Sequence, residues 1–413
     1  MKGDRLFNGV CFLLIFPFCS IFSISLSFYF FVFLLFRRNS FRFSINKFNY
    51  IFILFGVVII ISSSLMWRVT ELKIALDPLL FTPVIIRYIY WMLVALYVVA
   101  NYGKLDLLVV SKYFLLGTIC LLFCFFFFDK NYTFFLIKLM LDSPRNYMVY
   151  TLIISIPFSL YYIHHYFKKK GVLMGSIFFM LIIFLTDGRA GTIIVAIQLL
   201  LILGIVYPNV KRLSIFVVAW GTILLGLFPI NIDKSVERFG RNMSDVSPRI
   251  SNLILEQGDG DLSMDKSWLI RELMVTKGLE ITGKYTLFGI GPNNFKNYRA
   301  EISSYYEIQR LSGHSKSFYN ELSAHNSYIK VLAEFGLLGF CLFVLIIASI
   351  NLFWIKNIFS SKITMNFVPI ISVFGASIQF YVISSISGAI SWFIIAVAWM
   401  MYKTKNINFN KTA

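Results

Sequence analysis

The sequence HNSYIKVLAEFGLLG, residues 325–339, runs directly into the apolar stretch FCLFVLIIASINLFW, residues 340–354. It closes a polar segment, residues 231–325, in a chain that is otherwise dominated by apolar runs. A helix needs roughly twenty apolar residues to cross the hydrocarbon core of a bilayer. The last stretch is therefore predicted to enter a membrane. Function should be sought in the polar segment and in the charged residues that meet it.

The composition of the chain excludes a soluble protein of this length. Of the 413 residues, 58% are hydrophobic and only 14% are charged, and there are 45 Phe and 22 Tyr. So few polar side chains cannot cover a surface that faces water. The chain is therefore predicted to cross the membrane several times.

The formal net charge of +18 raises the question of nucleic-acid binding. Residues 231–325 contain twelve basic and twelve acidic residues, so the rest of the chain carries the whole excess. This excess is spread over short loops between apolar runs, which is the pattern of cytoplasmic loops in membrane proteins. Nucleic acid is therefore not expected as a partner.

Twelve apolar spans are predicted. The run at 6–36 is too long for one span, and Pro17 and Ser20 divide it into two helices joined by a short turn. The other spans are 48–66, 82–100, 107–128, 147–163, 172–186, 190–207, 213–230, 335–354, 367–383 and 389–402.

The basic loops orient this arrangement. With both termini in the cytoplasm, the loops rich in Lys and Arg lie inside and the segment 231–325 faces outward, which is the periplasm in a Gram-negative cell. The predicted fold class is an all-α polytopic membrane protein, with about twelve transmembrane helices and one large outward-facing loop that contains short helices. Its predicted parts are helices 1–9 at 1–230, the loop at 231–325, helices 10–12 at 326–402 and a cytoplasmic tail at 403–413.

Three local patterns stand out near the loop. The sequence WLIRELMVTKGL, residues 268–279, has apolar residues at helical spacing and predicts an amphipathic helix that lies on the membrane face. The sequence LFGIGPNNF, residues 287–295, predicts a tight turn. Gly336 and Gly339 form a small-residue patch that favours close packing of another helix or a lipid chain.

Arginines at the outer ends of spans are candidate anion-binding residues. Arg189 interrupts two apolar runs, and charge at such a boundary is costly unless it is paired or used; a simple pair with Asp187 is the alternative. Arg271 lies on the amphipathic helix, where a solvated face is the alternative. Arg145 and Arg87 are further candidates for a cationic rim around this site. For both, an orienting or snorkelling role is the preferred interpretation. A planar guanidinium suits phosphate because it donates two hydrogen bonds at once.

His325 lies where the polar segment enters the membrane. Histidine is the side chain best able to accept a proton near neutral pH, although an interfacial hydrogen-bonding role is the ordinary one for a histidine at a helix start. Glu321 and Glu334 are the other acid or base candidates on this side. Asn326 can cap the helix or hold a substrate hydroxyl.

Together these residues form a pattern that resembles the O-antigen ligase and polymerase superfamily of bacterial envelopes. The pattern is an Arg at the outer end of a middle span, a second Arg early in the large periplasmic loop, and His-Asn separated by nine residues from Gly-x-x-Gly at the end of the loop. Arg189, Arg271 and His325 occupy these positions in the same order. The detailed resemblance covers residues 182–345.

The resemblance implies an integral glycosyltransferase of the bacterial inner membrane, with twelve helices, a large periplasmic loop and its active site on the periplasmic side. The donor would be a glycan linked to undecaprenyl pyrophosphate, and the acceptor a sugar hydroxyl on another lipid-linked repeat unit or on lipid A-core. Arg189 and Arg271 would bind the pyrophosphate, and His325 would be the catalytic base of a single inverting displacement. The sequence contains no metal-ligating constellation, and the resemblance implies neither a metal nor another cofactor. The partners are therefore the glycan donor, the acceptor and membrane lipid, with a chain-length regulator as an additional candidate.

Within the superfamily, the turns at 188–191 and 289–292 favour the polymerase, and the ligase is the alternative. A flippase or other transporter of lipid-linked sugars is a further alternative from a different class. A flippase should carry charged residues on both sides of the membrane midplane, whereas the candidates here cluster at the outer face.

Overall fold

The computed structural model describes residues 5–15, 20–21, 24–36, 50–69, 78–127, 144–185, 189–210, 266–300, 324–358, 364–382 and 388–410. Helices dominate these residues, as predicted. They include one short antiparallel pair, β1 (Ser20–Ile21) with β2 (Ile24–Ser25), which lies in the connection between the first two helices.

Eleven α-helices are present in the described residues. Their bounds are α1 Arg5–Ile15, α2 Leu26–Phe36, α3 Tyr50–Leu65, α4 Pro78–Asn101, α5 Leu107–Phe127, α6 Pro144–Leu185, α7 Arg189–Val206, α8 Lys266–Lys284, α9 Ser327–Asn357, α10 Val368–Val382 and α11 Ala389–Asn410. Short 3-10 turns lie at Met66–Arg68, Tyr102–Lys104, Pro208–Val210, Phe295–Asn297 and Met365–Phe367.

Each predicted span in the described part of the chain overlaps an α-helix, although some helices extend beyond their spans. The predicted span 213–230 lies outside the described residues. Three helical stretches of the described chain are long and apolar enough to cross a membrane, namely Ile85–Lys104, Leu107–Cys124 and Ser327–Asn357. Shorter apolar helices accompany them. The count of twelve spans and the orientation of the loop stay predictions.

Helix α6 contains two of the predicted spans. It is interrupted at Lys168, whose φ of 54° and ψ of −150° are not helical. Gly175 in the second half lies against Leu160 in the first half, and Gly171 lies against Ile163. The two halves therefore fold back on each other at the lysine-rich turn, as expected for two spans joined by a short loop.

Two separate hydrophobic cores organise the protein. The larger core joins α1 to α7 with α9, α10 and α11, and forms the helical bundle. The smaller core, called here the outer core, combines residues of the polar segment with Val69, which follows the 3-10 turn after α3, and Ala333 of α9. Its members are Val69, Leu273, Met274, Ile281, Ile290, Phe295, Tyr298, Ala300, Ala324 and Ala333. The described part of the polar segment, residues 266–300 and 324–325, thus docks on the bundle through its own small core rather than by extending the bundle.

Candidate functional site

Helix α9 begins with a well-formed cap. Asn326 is the N-cap residue, and its Oδ1 accepts hydrogen bonds from the backbone N–H of Tyr328 (2.9 Å) and of Ile329 (3.1 Å). This satisfies two of the backbone donors that a helix start leaves unpaired. Asn326 therefore acts as a cap, which was one of the two roles predicted for it.

The residue before the cap has an unusual backbone. His325 has a φ of 48°, in the left-handed region that residues other than glycine rarely adopt. Its side chain is half-buried. Such strain costs on the order of 1–3 kcal/mol, persists only where the surroundings enforce it, and is common at functional sites. His325 lies between the buried residue Ala324 and the cap residue Asn326.

The structure differs from the sequence prediction in how α9 enters the bundle. The helix was predicted from residue 326, with its apolar span from residue 335. Helix α9 does start at Ser327, but it breaks at Gly336, where φ is 67° and ψ is −169°. Tyr328 and Phe343 lie on opposite sides of the break, yet their ring centroids are 5.7 Å apart. A straight helix would separate their Cα atoms by about 22 Å. The N-terminal segment of α9, residues 327–335, therefore turns sharply against the rest of the helix.

The predicted turn at 287–295 fills this break. The N–H groups of Ile290 and Gly291 donate to the carbonyls of Ala333 (3.0 Å) and Glu334 (2.9 Å). Beyond the break, the N–H of Leu337 donates to the carbonyl of Thr286 (2.8 Å). A broken helix leaves backbone groups unpaired, and here the turn supplies their partners.

Two glycines make the close contact between the turn and the helix possible. Gly289 has a φ of 67°, and a β-carbon there would overlap the backbone of Ala333 and Glu334. At Gly336 a β-carbon would overlap the backbone of Leu287. Gly336 was predicted to pack against another helix or a lipid chain, but its partner is the backbone of the polar segment.

The start of the N-terminal segment of α9, at Tyr328, packs on α10 and lies near α6. The hydroxyl of Tyr328 donates to the carbonyl of Ser377 (3.0 Å), and its ring lies 6.3 Å from that of Phe380. The ring of Phe380 in turn lies 6.0 Å from that of Tyr150 on α6. His325 therefore lies at the side of the bundle where α6 begins.

The other end of the segment lies on α3 and α4. Tyr88 on α4 donates to the carboxylate of Glu334 (3.2 Å), and its ring lies 5.5 Å from that of Phe335. The ring of Phe335 also lies 5.7 Å from that of Phe55 on α3. The segment is about 13 Å long. Glu334 is therefore separated from His325 by nearly the whole length of the segment.

The helices that carry Arg145 and Arg189 begin side by side. Arg145 is in the first turn of α6 and Arg189 is the first residue of α7. Gly191, two residues into α7, lies directly against Val149 of α6, where a β-carbon would overlap the valine side chain. Both helix starts are therefore at the end of the bundle where α6 approaches α10 and the start of α9.

Arg271 is exposed on α8, which runs alongside the N-terminal segment of α9 in the same direction. Gly278 lies against Ile329, and the carbonyl of Thr286 meets the N–H of Leu337. The residue numbers of both pairs differ by the same amount. With the same difference in numbering, Arg271 lies beside a position about one helical turn N-terminal to His325, the residue before the cap.

The structure thus divides the predicted site residues into two groups. The first group is at the end of the bundle where α9 starts, and it consists of His325, Asn326 and the helix positions of Arg145, Arg189 and Arg271. Arg87, next to Tyr88, is at the other end with Glu334. Glu321 lies outside the described residues.

Three further polar residues of this region were not predicted from the sequence. Lys277 has no exposed surface and its ammonium lies 5.1 Å from the ring centroid of Phe295. Lys330 is buried one turn before Glu334 and interacts with it electrostatically. Lys277 lies on the apolar face of its helix, four residues from a buried residue on either side, so the helical pattern could have revealed it. Tyr88 gave no local signal, because its partner is far away in the sequence.

The buried lysine makes the stability of the outer core depend on pH. Burial lowers the pKa of Lys277 from 10.5 to about 7, against a smaller opposing effect of Glu280. Between these values the unfolded chain binds the proton more tightly than the folded protein, so the free energy of unfolding rises with pH from about 7 to about 10.5. Below that range the folded protein bears the cost of the buried charge. Between about pH 7 and about pH 10, the melting temperature in detergent should rise more for the wild type than for Lys277→Met. Equal rises in melting temperature would contradict the prediction.

The cap at Asn326 leads to a second prediction. Asn326→Ala should lower the unfolding free energy by about 1 kcal/mol, because two backbone N–H groups lose their acceptor. Asn326→Ser and Asn326→Asp keep an oxygen at the cap and should stay close to the wild type. Melting temperatures of the purified variants test this. A loss as large in Asn326→Ser as in Asn326→Ala would show that capping is not what the side chain contributes.

The fold and the site together define a class: a helical membrane protein in which a polar segment docks on one end of an apolar bundle, beside a broken helix with a histidine at its start. Residues 174–344 match the family model described as O-antigen ligase. The matched part includes Arg189, Arg271 and His325 and ends shortly after Gly339, so the superfamily resemblance seen in the sequence is confirmed. A search of curated proteins found no match.

Proposed function

We propose that this protein is a membrane glycosyltransferase that transfers an oligosaccharide or polysaccharide from undecaprenyl pyrophosphate to an acceptor sugar hydroxyl. The reaction takes place at the periplasmic face of the inner membrane, and its product is a surface polysaccharide such as O-antigen. The proposal is supported by two observations. The start of α9, next to His325, lies at the same end of the bundle as the starts of α6 and α7, which bear Arg145 and Arg189. Residues 174–344, which include Arg189 and His325, match the O-antigen ligase family.

The proposed reaction is a single displacement. The acceptor hydroxyl oxygen attacks the anomeric carbon of the donor, and the bond from that carbon to the phosphate oxygen breaks. The electron pair leaves with undecaprenyl pyrophosphate, and a ring nitrogen of His325 takes the hydroxyl proton. Attack opposite the leaving group inverts the anomeric configuration. The pyrophosphate bond already activates the donor, so the step requires no nucleotide.

The arginines would stabilise charge where it develops. As the anomeric bond breaks, the sugar becomes positive and the pyrophosphate gains negative charge. Guanidinium groups that bind the departing pyrophosphate more tightly than the intact donor lower the barrier. We assign this role to Arg189 and Arg271, with Arg145 as a supporting residue. The position of Arg87 at the far end of the N-terminal segment of α9 supports an orienting role for it instead.

We favour the polymerase over the ligase because of the glycine-containing sequences at 188–191 and 289–292. The ligase, which joins O-antigen to lipid A-core, is the alternative. A flippase for lipid-linked sugars is less favoured, because most of the candidate residues that the structure describes meet at one end of the bundle. We also propose a chain-length regulator as a partner of the polymerase.

The lipopolysaccharide of a strain that lacks this gene tests the function, compared with the same strain complemented with the wild type or with His325→Ala. A core that carries a single repeat unit is the result expected for a polymerase. Bare core, with long chains left on undecaprenyl pyrophosphate, would instead identify a ligase. A ladder that is unchanged both in the strain without the gene and in the His325→Ala strain would overturn the assignment to O-antigen and direct the search to another surface polysaccharide or to transport.

The arginines give a third prediction. Arg189→Ala and Arg271→Ala should each reduce transfer by at least about a hundredfold, because one positioned donor to a developing anion contributes roughly that much. Arg189→Lys should recover only part of the activity, since an ammonium cannot form the two parallel bonds of a guanidinium. Rates of transfer from a purified lipid-linked donor measure this, with membrane levels of each variant checked by immunoblot. Full activity of Arg189→Lys would argue for a plain positive charge.

A further inference from the structure

Glu334 is the residue around which the second polar group is built. Its side chain has no exposed surface. One carboxylate oxygen accepts from the hydroxyl of Tyr88 (3.2 Å) and the other from the backbone N–H of Phe295 (3.4 Å), and the backbone amide of Asn293 also bonds to it. Lys330 provides a nearby positive charge. A buried carboxylate is tolerated only when it is bonded and compensated in this way.

The partners of Glu334 come from three different parts of the protein. Tyr88 belongs to α4 of the bundle, Phe295 belongs to the turn of the polar segment, and Lys330 belongs to α9 itself. The main-chain carbonyl of Glu334 also accepts from Gly291 (2.9 Å). Glu334 therefore holds the turn with both its side chain and its backbone, and ties it to the bundle.

The turn is continuous with the helix that carries Arg271. Helix α8 ends at Lys284, and the next backbone bonds are Tyr285 N–H to the carbonyl of Ile281 (2.8 Å) and Gly289 N–H to the carbonyl of Tyr285 (3.0 Å). The connection from α8 to the turn, residues 285–289, is therefore held by backbone hydrogen bonds. A displacement of the turn would move α8 along the N-terminal segment of α9.

Glu334 is not placed to exchange a proton with the substrate. It is fully buried, and it lies about 13 Å along the helix from His325. Its effect on the reaction must therefore pass through the elements that it joins.

We propose that Glu334 is a positioning residue for sugar transfer. It locks the turn at 286–295 into the break at Gly336, and this lock holds Arg271 on α8 in register with His325 at the start of α9. The proposal rests on the function proposed above for His325 and Arg271. Its structural part, the locking of the turn by Glu334, does not depend on that function.

The variant Glu334→Gln tests the proposal because it keeps the size of the side chain and removes its charge. An amide cannot accept from both Tyr88 and the backbone amides of the turn with its single oxygen. The turn should loosen, and transfer should fall by about a hundredfold, since a misplacement of about 1 Å can cost that much. Hydrogen exchange of residues 285–300 should become faster in the same variant.

A disulfide across the break should rescue this variant. Thr286 and Leu337 are both exposed and are joined by a backbone hydrogen bond of 2.8 Å, so Thr286→Cys and Leu337→Cys provide cysteines at neighbouring positions. The five native cysteines are replaced by serine or alanine in every protein compared. The oxidised Glu334→Gln protein should regain activity to within about threefold of the oxidised parent and should show slow exchange again. Reduction should remove both gains.

The matched control is Asp106→Asn, the same change of carboxylate to amide at the other end of the bundle. Asp106 accepts from the N–H of Leu108 (3.0 Å), a bond that asparagine retains, so activity should not change. Full activity of Glu334→Gln would overturn the proposal. So would a crosslink that restores slow exchange without restoring transfer, because Glu334 would then act in the chemistry. If the wild type transfers no sugar, hydrogen exchange still shows whether Glu334 locks the turn, so the two failures are distinguishable.

Discussion

His325→Ala should lower the rate of sugar transfer by about 10²–10⁴-fold, which is the range over which a positioned general base acts. The protein should remain in the membrane and keep its melting temperature within a few degrees. The physical reason is that the acceptor hydroxyl must lose its proton as it attacks. The rate is measured with a purified lipid-linked donor and acceptor in detergent.

The unusual backbone of His325 calls for a second variant. Alanine is strained at a φ of 48°, whereas glycine adopts this conformation freely. His325→Gly therefore removes the imidazole without backbone strain, and it should lose as much activity as His325→Ala. His165→Ala, at an exposed histidine close to the lysine-rich turn of α6, is the control and should be fully active. Full activity of His325→Gly would refute the role of the imidazole as base.

Gly336→Ala should destabilise the contact between the turn and α9. The φ of 67° and ψ of −169° at Gly336 belong to a region that is open almost exclusively to glycine. A methyl group there would also overlap the backbone of Leu287. Strain alone should cost on the order of 1–3 kcal/mol, and the turn must also move out of the break. We expect a lower melting temperature and a loss of transfer of at least about tenfold.

Gly283→Ala is the matched control for this experiment. Gly283 is near the end of α8 and has no atom within 4 Å of the position that a β-carbon would take. Alanine is a better helix residue than glycine by roughly 0.5–1 kcal/mol, so this variant should be as stable as the wild type or slightly more stable. If Gly336→Ala has the stability and activity of Gly283→Ala, then the contact between the turn and α9 is not required.

The large-scale features could be predicted from the sequence because they depend on local composition. Apolar runs of sufficient length form helices in a membrane, since each backbone polar group must be satisfied within the segment. The spacing of apolar residues at 268–279 likewise predicted a helix, and α8 covers it. Asn326 could be identified as a cap because capping involves only the next few residues.

The internal arrangement of the candidate site could not be predicted in the same way. The break at Gly336 exists because the backbone of a distant turn fits there, and a Gly-x-x-Gly pattern is equally compatible with a helix contact. Glu334 was grouped with His325 as a proton-transfer candidate, since the two are near each other in sequence. In the structure they are at opposite ends of one segment, because the partner of Glu334 is Tyr88 on α4.

The amino-acid sequence alone was sufficient to identify a helical membrane protein with a polar segment ahead of its last spans, and to select Arg189, Arg271 and His325 as the residues to test. Hydrophobicity, charge and short motifs are properties of neighbouring residues, so they can be interpreted without the fold. The folded structure was needed to show that the turn at 286–295 closes the broken helix and that Glu334 joins it to the bundle. Those contacts pair residues that are far apart in the chain, and the free energy that holds them comes from burial and hydrogen bonds that form only when the chain is folded.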